Sequence, residues 1–200
     1  MKKLLLILTI LVIASTGMAQ KSERTNAFMY NKNAQYDKAK EAIDKAVVHP
    51  RTAEDAKAWM YRGIIYLNLV FSEDYANLSE DPLQESFNSF KKAIELDPDD
   101  KLKRSNDIDP RVEAIGQQYF AYGVDDFNAG QNDPNKYKVA ANKFHKAYEV
   151  AAYVNKIDTL ALLNAALASV RAEAYEQALE YYEQLLALDF NESDVYKNMA

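Results

Sequence analysis

The chain has 200 residues, contains no cysteine, and carries 30 acidic and 24 basic residues, which gives a formal net charge of −6. The lack of cysteine excludes disulfide bonds and thiol chemistry. The acidic balance makes a phosphate backbone an unfavourable ligand, so nucleic acid is not expected as a partner. Glycine and proline number only five each, which favours helices.

The first residues, 1–19, have the order of a cleaved secretory signal peptide. A basic start is followed by an apolar run at 4–14, and then by the small residues Gly17 and Ala19. The run is too short to cross a bilayer, which needs roughly 20 apolar residues. We therefore predict cleavage ahead of Gln20, export to the periplasm or cell envelope of a bacterium, and no stable membrane insertion afterwards. A lipoprotein is not expected, because no cysteine follows the run.

Internal repetition begins after this leader. Four segments share a small residue, a large apolar residue four positions later, and Ala or Leu three positions after that. Steps of four and three place these side chains on one face of a helix. The segments are Ala39/Ile43/Ala46, Ser86/Phe90/Ala93, Ala140/Phe144/Ala147 and Ala178/Tyr182/Leu185. Each follows another predicted helix with its own small residue, at Ala27, Gly63, Gly123 and Ala166 respectively.

The pattern resembles the tetratricopeptide repeat and is fullest in the second unit, which contains in order Trp59, Gly63, Tyr66, Phe90, Ala93 and Pro98. The small residues Ala27, Gly63, Gly123, Ala166 and Ala200 are 36, 60, 43 and 34 positions apart. The last step equals the family period, and the irregular steps coincide with inserts. The resemblance implies an all-α fold, namely a right-handed α-solenoid of antiparallel helix pairs with about four repeats and the start of a fifth. Small residues would let paired helices approach closely, and aromatic side chains would fill the space on either side of the crossing.

The resemblance covers nearly all of the chain after the leader, so we expect one repeat domain over residues 20–200. Its units are expected at about 20–50, 52–98, 110–152 and 158–190, with a partial unit at 193–200. A solenoid normally ends in a polar capping helix, and the native chain is therefore expected to continue beyond Ala200. The inserts near 71–81 and 99–109 have no assigned role, and the sequence does not predict an oligomeric state.

Local signals mark some helix ends, and two residues depart from the repeat. Thr52 with Asp55 predicts a capping box, and Asp81, Asp109 and Asp133, each before a proline, predict an N-cap followed by a first-turn proline. Glu23 stands where the repeat usually has an aromatic residue, and Asp126 stands where it usually has tyrosine. These departures affect the exact register of the first and third repeat units.

No pattern of catalytic residues is found in these 200 residues. The two histidines, His49 and His145, lie about a hundred residues apart, and neither has a partner at metal-ligand spacing. Motifs for a nucleophile, a zinc protease, a phosphate loop or a dinucleotide are missing from the sequence. The protein is therefore not expected to be an enzyme, and neither a cofactor nor a metal is predicted.

The resemblance also implies a concave groove lined by the first helix of each unit, at the second, fifth, ninth, twelfth and thirteenth positions. In the first unit the fifth, ninth and twelfth are Arg24, Phe28 and Asn31. In the later units they are all apolar: Met60, Ile64 and Leu67, then Phe120, Val124 and Phe127, then Leu163, Leu167 and Val170. The thirteenth position forms a polar rim, at Lys32, Asn68, Asn128 and Arg171.

Three explanations for the apolar character of this groove remain open. The helix at 159–170 is apolar on nearly all of its surface, and such a helix is normally buried on all sides. A partner protein or peptide segment could cover it, as could the protein's own inserts or further C-terminal units. Alternatively, a register shifted by one position would make these side chains part of the core between repeats.

Two functions follow from these alternatives. The first is a non-catalytic protein–protein interaction scaffold in the cell envelope, which the apolar groove favours. The second is a glycan-binding surface protein with a tetratricopeptide core, because some of the 14 tyrosines could stack on sugars. A carboxylate clamp of the chaperone-binding type is not expected, since Phe28 and Tyr61 stand where that variant has asparagine and only Arg24 matches.

Overall fold

The computed structural model describes residues 23–105 and 108–190 of the chain. These residues form helices and turns and contain no strand, so the predicted all-α class is confirmed for them. The predicted signal peptide at 1–19 and the partial unit at 193–200 lie outside the described residues. Within the two described ranges, no helix has the length and apolar character needed to cross a membrane.

The helices come mostly in pairs joined by short turns. In chain order they are α1 (23–32), α2 (Tyr36–Val48), α3 (Ala56–Val70), α4 (Pro82–Glu95), the single turn α5 (Lys101–Arg104), α6 (Asp109–Ala129), α7 (Asn135–Tyr153), α8 (Thr159–Arg171) and α9 (Tyr175–Ala187). The tight turns after α1 and α8 each contain a residue with left-handed backbone, Ala34 at φ 55° and Glu173 at φ 57°. Both lie seven positions after the small residue of the preceding helix, Ala27 or Ala166, so the two turns share one conformation.

The chain divides between Arg111 and Val112 into two compact units. These two compact units are called the first unit and the second unit, and the shorter repeats predicted from the sequence are called repeat units. In the first unit α2 packs on α3, and α3 packs on α4. Its buried cluster around the first three helices comprises Ala27, Ala39, Ala42, Ile43, Ala46, Val47, Ala58 and Ile65. In the second unit α7 packs on α8, and α8 packs on α9. A buried cluster there comprises Ala140, Ala141, Phe144, Leu162, Ala165, Ala166, Ala168, Ala178, Tyr181, Tyr182 and Leu185.

In two helix pairs, a glycine of one helix lies against an aromatic ring of the other helix where the two helices cross. A Cβ added to Gly63 in α3 would lie 2.8 Å from Cε1 of Phe90 in α4. A Cβ added to Gly123 in α6 would lie 2.7 Å from Cδ1 of Phe144 in α7. Real Cβ atoms do not approach so closely, so an alanine at either position would force the phenylalanine ring to shift. The sequence predicted close approach at these residues, but the ring lies on the glycine itself and not on either side of the crossing.

Of the four predicted caps, the one at Asp81 is confirmed. The carboxylate of Asp81 accepts a hydrogen bond from the backbone N–H of Gln84 at 3.0 Å and caps α4. Asp109 is itself the first residue of α6, and the Asp133 carboxylate accepts a hydrogen bond from the N–H of Asn135 at 3.1 Å. The capping box at Thr52 is wrong, because Asp55 caps α3 by accepting from the N–H of Lys57. Thr52 is buried and instead donates its hydroxyl to the carbonyl of Ala46 at 2.5 Å, which satisfies one of the last carbonyls of α2.

The described residues of both inserts pack within the first unit. In the insert near 71–81, the ring of Tyr75 packs edge-on against Tyr36 at the start of α2, with ring centroids 5.5 Å apart. In the insert near 99–109, the N–H of Leu102 donates to the Asp97 carboxylate at 2.6 Å, and Ile108 is fully buried. The inserts therefore add packed structure to this unit.

The two glycines of α6 provide a matched test of the close approach. Gly123→Ala should lower the free energy of unfolding by about 1–2 kcal/mol, because overpacking against Phe144 outweighs the better helix propensity of alanine. Gly116→Ala is the control. Its Cβ would lie 3.5 Å from Val150 Cγ1, an ordinary contact, so stability should stay level or rise. Urea denaturation of both variants checks this, and equal effects would contradict the account.

Candidate functional site

A cavity of about 340 Å³ opens beside α1 and α3 in the first unit. It is lined by Phe28, Asn31 and Lys32 from α1, by Lys57, Met60, Tyr61, Ile64 and Ile65 from α3, and by Arg111. Five of these residues stand at positions that the sequence predicted to face a groove: Phe28, Asn31, Lys32, Met60 and Ile64. The structure therefore brings part of the predicted surface together around one concave site.

An aromatic pair forms one side of this cavity. The rings of Phe28 and Tyr61 stack with centroids 5.1 Å apart and an interplanar angle of 28°. The ammonium group of Lys57 lies 5.6 Å from the centroid of Tyr61, within the range of a cation–π contact. Phe28 keeps 42% of its surface exposed, whereas Met60 is buried. The cavity thus has a buried apolar floor and an accessible aromatic edge.

Other predicted positions of the first unit do not line the cavity. Leu67 is buried, so it contributes to the core. Asn68 donates its side-chain amide to the Oδ1 atom of Asn31 at 2.8 Å, which joins a predicted rim residue to a predicted groove residue. Arg24 forms an ion pair with Asp55.

Two lining cations were missed in the sequence. Lys57 occupies the second position of its repeat unit. The repeat resemblance marks this position as facing the groove, so Lys57 could have been predicted from the sequence. Arg111 carried no such signal, because it follows the insert near 99–109 and precedes the small residue of its helix by twelve positions. Its place beside α1 and α3 depends on the path of that insert.

In the second unit, the predicted groove positions are partly covered by their own helix pair. Phe120 packs edge-on against Phe144, and Phe127 packs edge-on against Tyr137, each with ring centroids 5.2 Å apart. The remaining apolar positions are half-buried, except for the more exposed Val124; they are Leu163, Leu167 and Val170. The rim residues Asn128 and Arg171 are exposed. Their role as a binding surface stays a prediction.

A charged cluster in the first unit joins three helices. The guanidinium of Arg62 in α3 contacts Asp44 of α2 at 3.0 Å, and Glu85 and Ser89 of α4 at 2.8 and 2.7 Å. It also lies 4.2 Å from the ring centroid of Tyr66, whose hydroxyl donates to Asp44 at 2.9 Å. Burial raises the pKa of this tyrosine. Because these groups satisfy one another, we interpret the cluster as a structural clamp.

The second unit has a different charged cluster at the same repeat positions. Asp126, three residues after Gly123 as Tyr66 is after Gly63, forms ion pairs with Lys143 and, at 3.2 Å, with Lys136. Burial opposes ionisation of Asp126, but hydrogen bonds from the two lysines lower the pKa of its carboxyl group. Lys143 also lies 5.3 Å from the ring centroid of Tyr122. The departure at Asp126 is thus matched by a lysine on the opposing helix.

The histidines lie in separate settings. The ring of His145 stacks on Tyr181 with centroids 4.8 Å apart and lies 4.0 Å from the Glu149 carboxylate. The Nδ1 atom of His49 accepts a hydrogen bond from the N–H of Arg51 at 3.2 Å. Among residues 23–105 and 108–190, no three His, Cys, Asp or Glu side chains are grouped as a metal site would need.

Comparison with known proteins adds no assignment: no protein-family model matches the chain, and no curated protein matches its sequence. An apolar floor, an exposed aromatic pair and cations at the edge suit a ligand that places an apolar group beside negative charge.

The Asp126 cluster gives a pH-dependent prediction. Since the folded-state pKa lies below the ordinary value of 3.8, the carboxylate stabilises the fold above that pH, and its contribution is lost as the pH falls through the folded-state pKa. Asp126→Asn should therefore cost about 1–2 kcal/mol at pH 7 and progressively less below pH 3.8. Urea denaturation at several pH values measures this.

The adjacent Asp125→Asn serves as the control, because Asp125 is exposed on the same helix. Its effect should stay within about 0.5 kcal/mol across the same pH range. A cost for Asp126→Asn that does not change with pH would contradict the assigned role of the ionised carboxylate.

Proposed function

We propose that the chain is a tetratricopeptide-type repeat protein whose helix pairs form an α-solenoid. Three observations support this proposal. The helices pair in sequence order, glycine meets phenylalanine at equivalent crossings in α3–α4 and α6–α7, and the turns after α1 and α8 place a left-handed residue at the same repeat position. Each of the last two features recurs at one repeat position in two of the four predicted repeat units.

We further propose that the protein is a non-catalytic scaffold that binds a segment of a partner protein through the first helix of its repeat units. The observation that carries this proposal is the cavity beside α1 and α3, whose lining includes five residues at predicted groove positions. An exposed aromatic edge over a buried apolar floor is the arrangement on which a partner's apolar side chain can dock.

Affinity is expected to be moderate. Full burial of a large apolar side chain contributes about 1.5–3 kcal/mol, and part of this gain is offset by the ordering of the bound segment. Four or five such anchors would give binding in the micromolar range or better. The proposed location is the periplasm or cell envelope of a bacterium, which rests on the signal-peptide pattern of residues 1–19 alone.

Two exposed positions allow a matched test of this function. Phe28→Glu with Val124→Glu alters predicted groove residues that are 42% and 38% exposed, so the variant should remain folded. Phe71→Glu with Val139→Glu makes the same chemical changes at residues that are 60% and 39% exposed and stand outside the predicted groove. Affinity capture from solubilised bacterial envelope is compared for the parent and both variants, with circular dichroism as the folding check.

A partner retained by the parent and by the Phe71/Val139 variant, but lost from the Phe28/Val124 variant, is the expected result. The same captured set for all three proteins would contradict the proposal. A glycan array probed with the same three proteins separates the alternative function, because binding to sugars that the groove substitutions abolish would favour a glycan-binding protein.

A further inference from the structure

The cavity beside α1 and α3 differs in charge from the chain as a whole. The protein carries 30 acidic and 24 basic residues, yet the described residues that line the cavity include three cations, Lys32, Lys57 and Arg111, and no carboxylate. The acidic N-cap of α3, Asp55, is already bound by Arg24. The site therefore presents a local positive rim around an apolar floor.

The rim cations come from three helices. Lys32 is the last residue of α1, Lys57 lies in the first turn of α3, and Arg111 lies in the first turn of α6. Both lysines are exposed, so their ammonium groups remain hydrated and within reach of an incoming segment. A bound segment with negative charge on only one side of its anchor would leave part of this rim unused.

The floor suits a single bulky apolar side chain. Its volume of about 340 Å³ is at the lower end of the range for ligand sites, and Met60, Ile64 and Ile65 supply its apolar surface. The stacked rings of Phe28 and Tyr61 offer an aromatic wall. An aromatic or leucine anchor from a partner would contact both surfaces.

We propose that the segment bound here is an acidic internal peptide: one bulky apolar anchor with aspartate or glutamate on both sides. This inference rests on the proposed function and specifies the chemistry of the partner. The anchor fills the cavity, and the flanking carboxylates pair with the exposed Lys32 and Lys57. Opposite charge at the rim also favours this partner over basic segments and speeds the encounter at low salt.

The test is selection from a phage-displayed library of random 12-residue peptides, held between linkers so that no free terminus is presented, on the full-length chain. The best sequence is then made with blocked termini, and its binding is measured by fluorescence anisotropy. Selected peptides should be enriched in Asp and Glu around a Phe, Trp, Tyr or Leu. Binding should weaken when the salt concentration rises from 50 to 500 mM, because exposed ion pairs are screened.

A charge-swap variant makes the test specific. Lys32→Glu with Lys57→Glu should weaken the selected peptide about tenfold, since two exposed ion pairs become repulsive contacts, and should strengthen binding of its Lys-substituted counterpart. A gain for the basic peptide cannot result from misfolding. Lys38→Glu with Lys138→Glu makes the same change in net charge at exposed lysines outside the lining. This control variant should still bind the acidic peptide more tightly than its Lys-substituted counterpart.

The remaining outcomes separate this inference from the proposed function. Selected peptides that lack acidic enrichment but lose binding on Phe28→Glu would overturn the inference and leave the scaffold function standing. Acidic peptides that bind the charge-swap variant equally well would do the same. Failure to select any peptide that depends on Phe28 would count against both.

Discussion

The contact between glycine and a phenylalanine ring determines how closely the paired helices approach. At Gly63 and Gly123 the ring of the opposing helix occupies the space where a Cβ would stand. Because the helices are so close there, the residues beside each glycine also reach the second helix. The Arg62 and Tyr66 clamp in the first unit and the Asp126 clamp in the second both lie within three residues of such a glycine.

The same contact gives the first helix of each pair, such as α3 or α6, two different faces. Residues on the face that carries the glycine pack against the second helix of the pair, and residues on the opposite face remain available to a ligand. In the first unit, Phe28 and Ile64 stand on this available side and line a cavity. In the second unit, Phe120 and Phe127 use part of their surface on the rings of Phe144 and Tyr137, so less apolar surface remains there for a partner.

The helices could be predicted from the sequence, because close packing restricts residue size at fixed spacing, and size is readable from residue type. The charged contacts could not. In the α3–α4 pair the cation Arg62 lies on α3 and contacts Ser89 of α4. In the α6–α7 pair the cation Lys143 lies on α7 instead and contacts Tyr122 and Asp126 of α6. Many charge arrangements satisfy one backbone geometry, so Asp126 looked like a departure until its partner was placed.

The candidate site was predictable to a similar extent. The apolar lining residues Met60 and Ile64 were among the predicted groove positions, and Lys57 could have been found by applying the proposed repeat register to one more position. Arg111 depended on the course of an insert, which no repeat pattern specifies. Thr52 was misassigned because a capping pattern does not reveal whether a buried hydroxyl has a nearer carbonyl to bind, as it does at Ala46.

A double-mutant cycle on Gly123 and Phe144 tests the central contact most directly. The free energy of unfolding is measured for Gly123→Ala, for Phe144→Leu, and for the two substitutions together. If the ring determines the need for glycine, the cost of Gly123→Ala should largely disappear in the Phe144→Leu background, with a coupling energy of about 1 kcal/mol or more. Additive costs, within about 0.3 kcal/mol, would contradict the account.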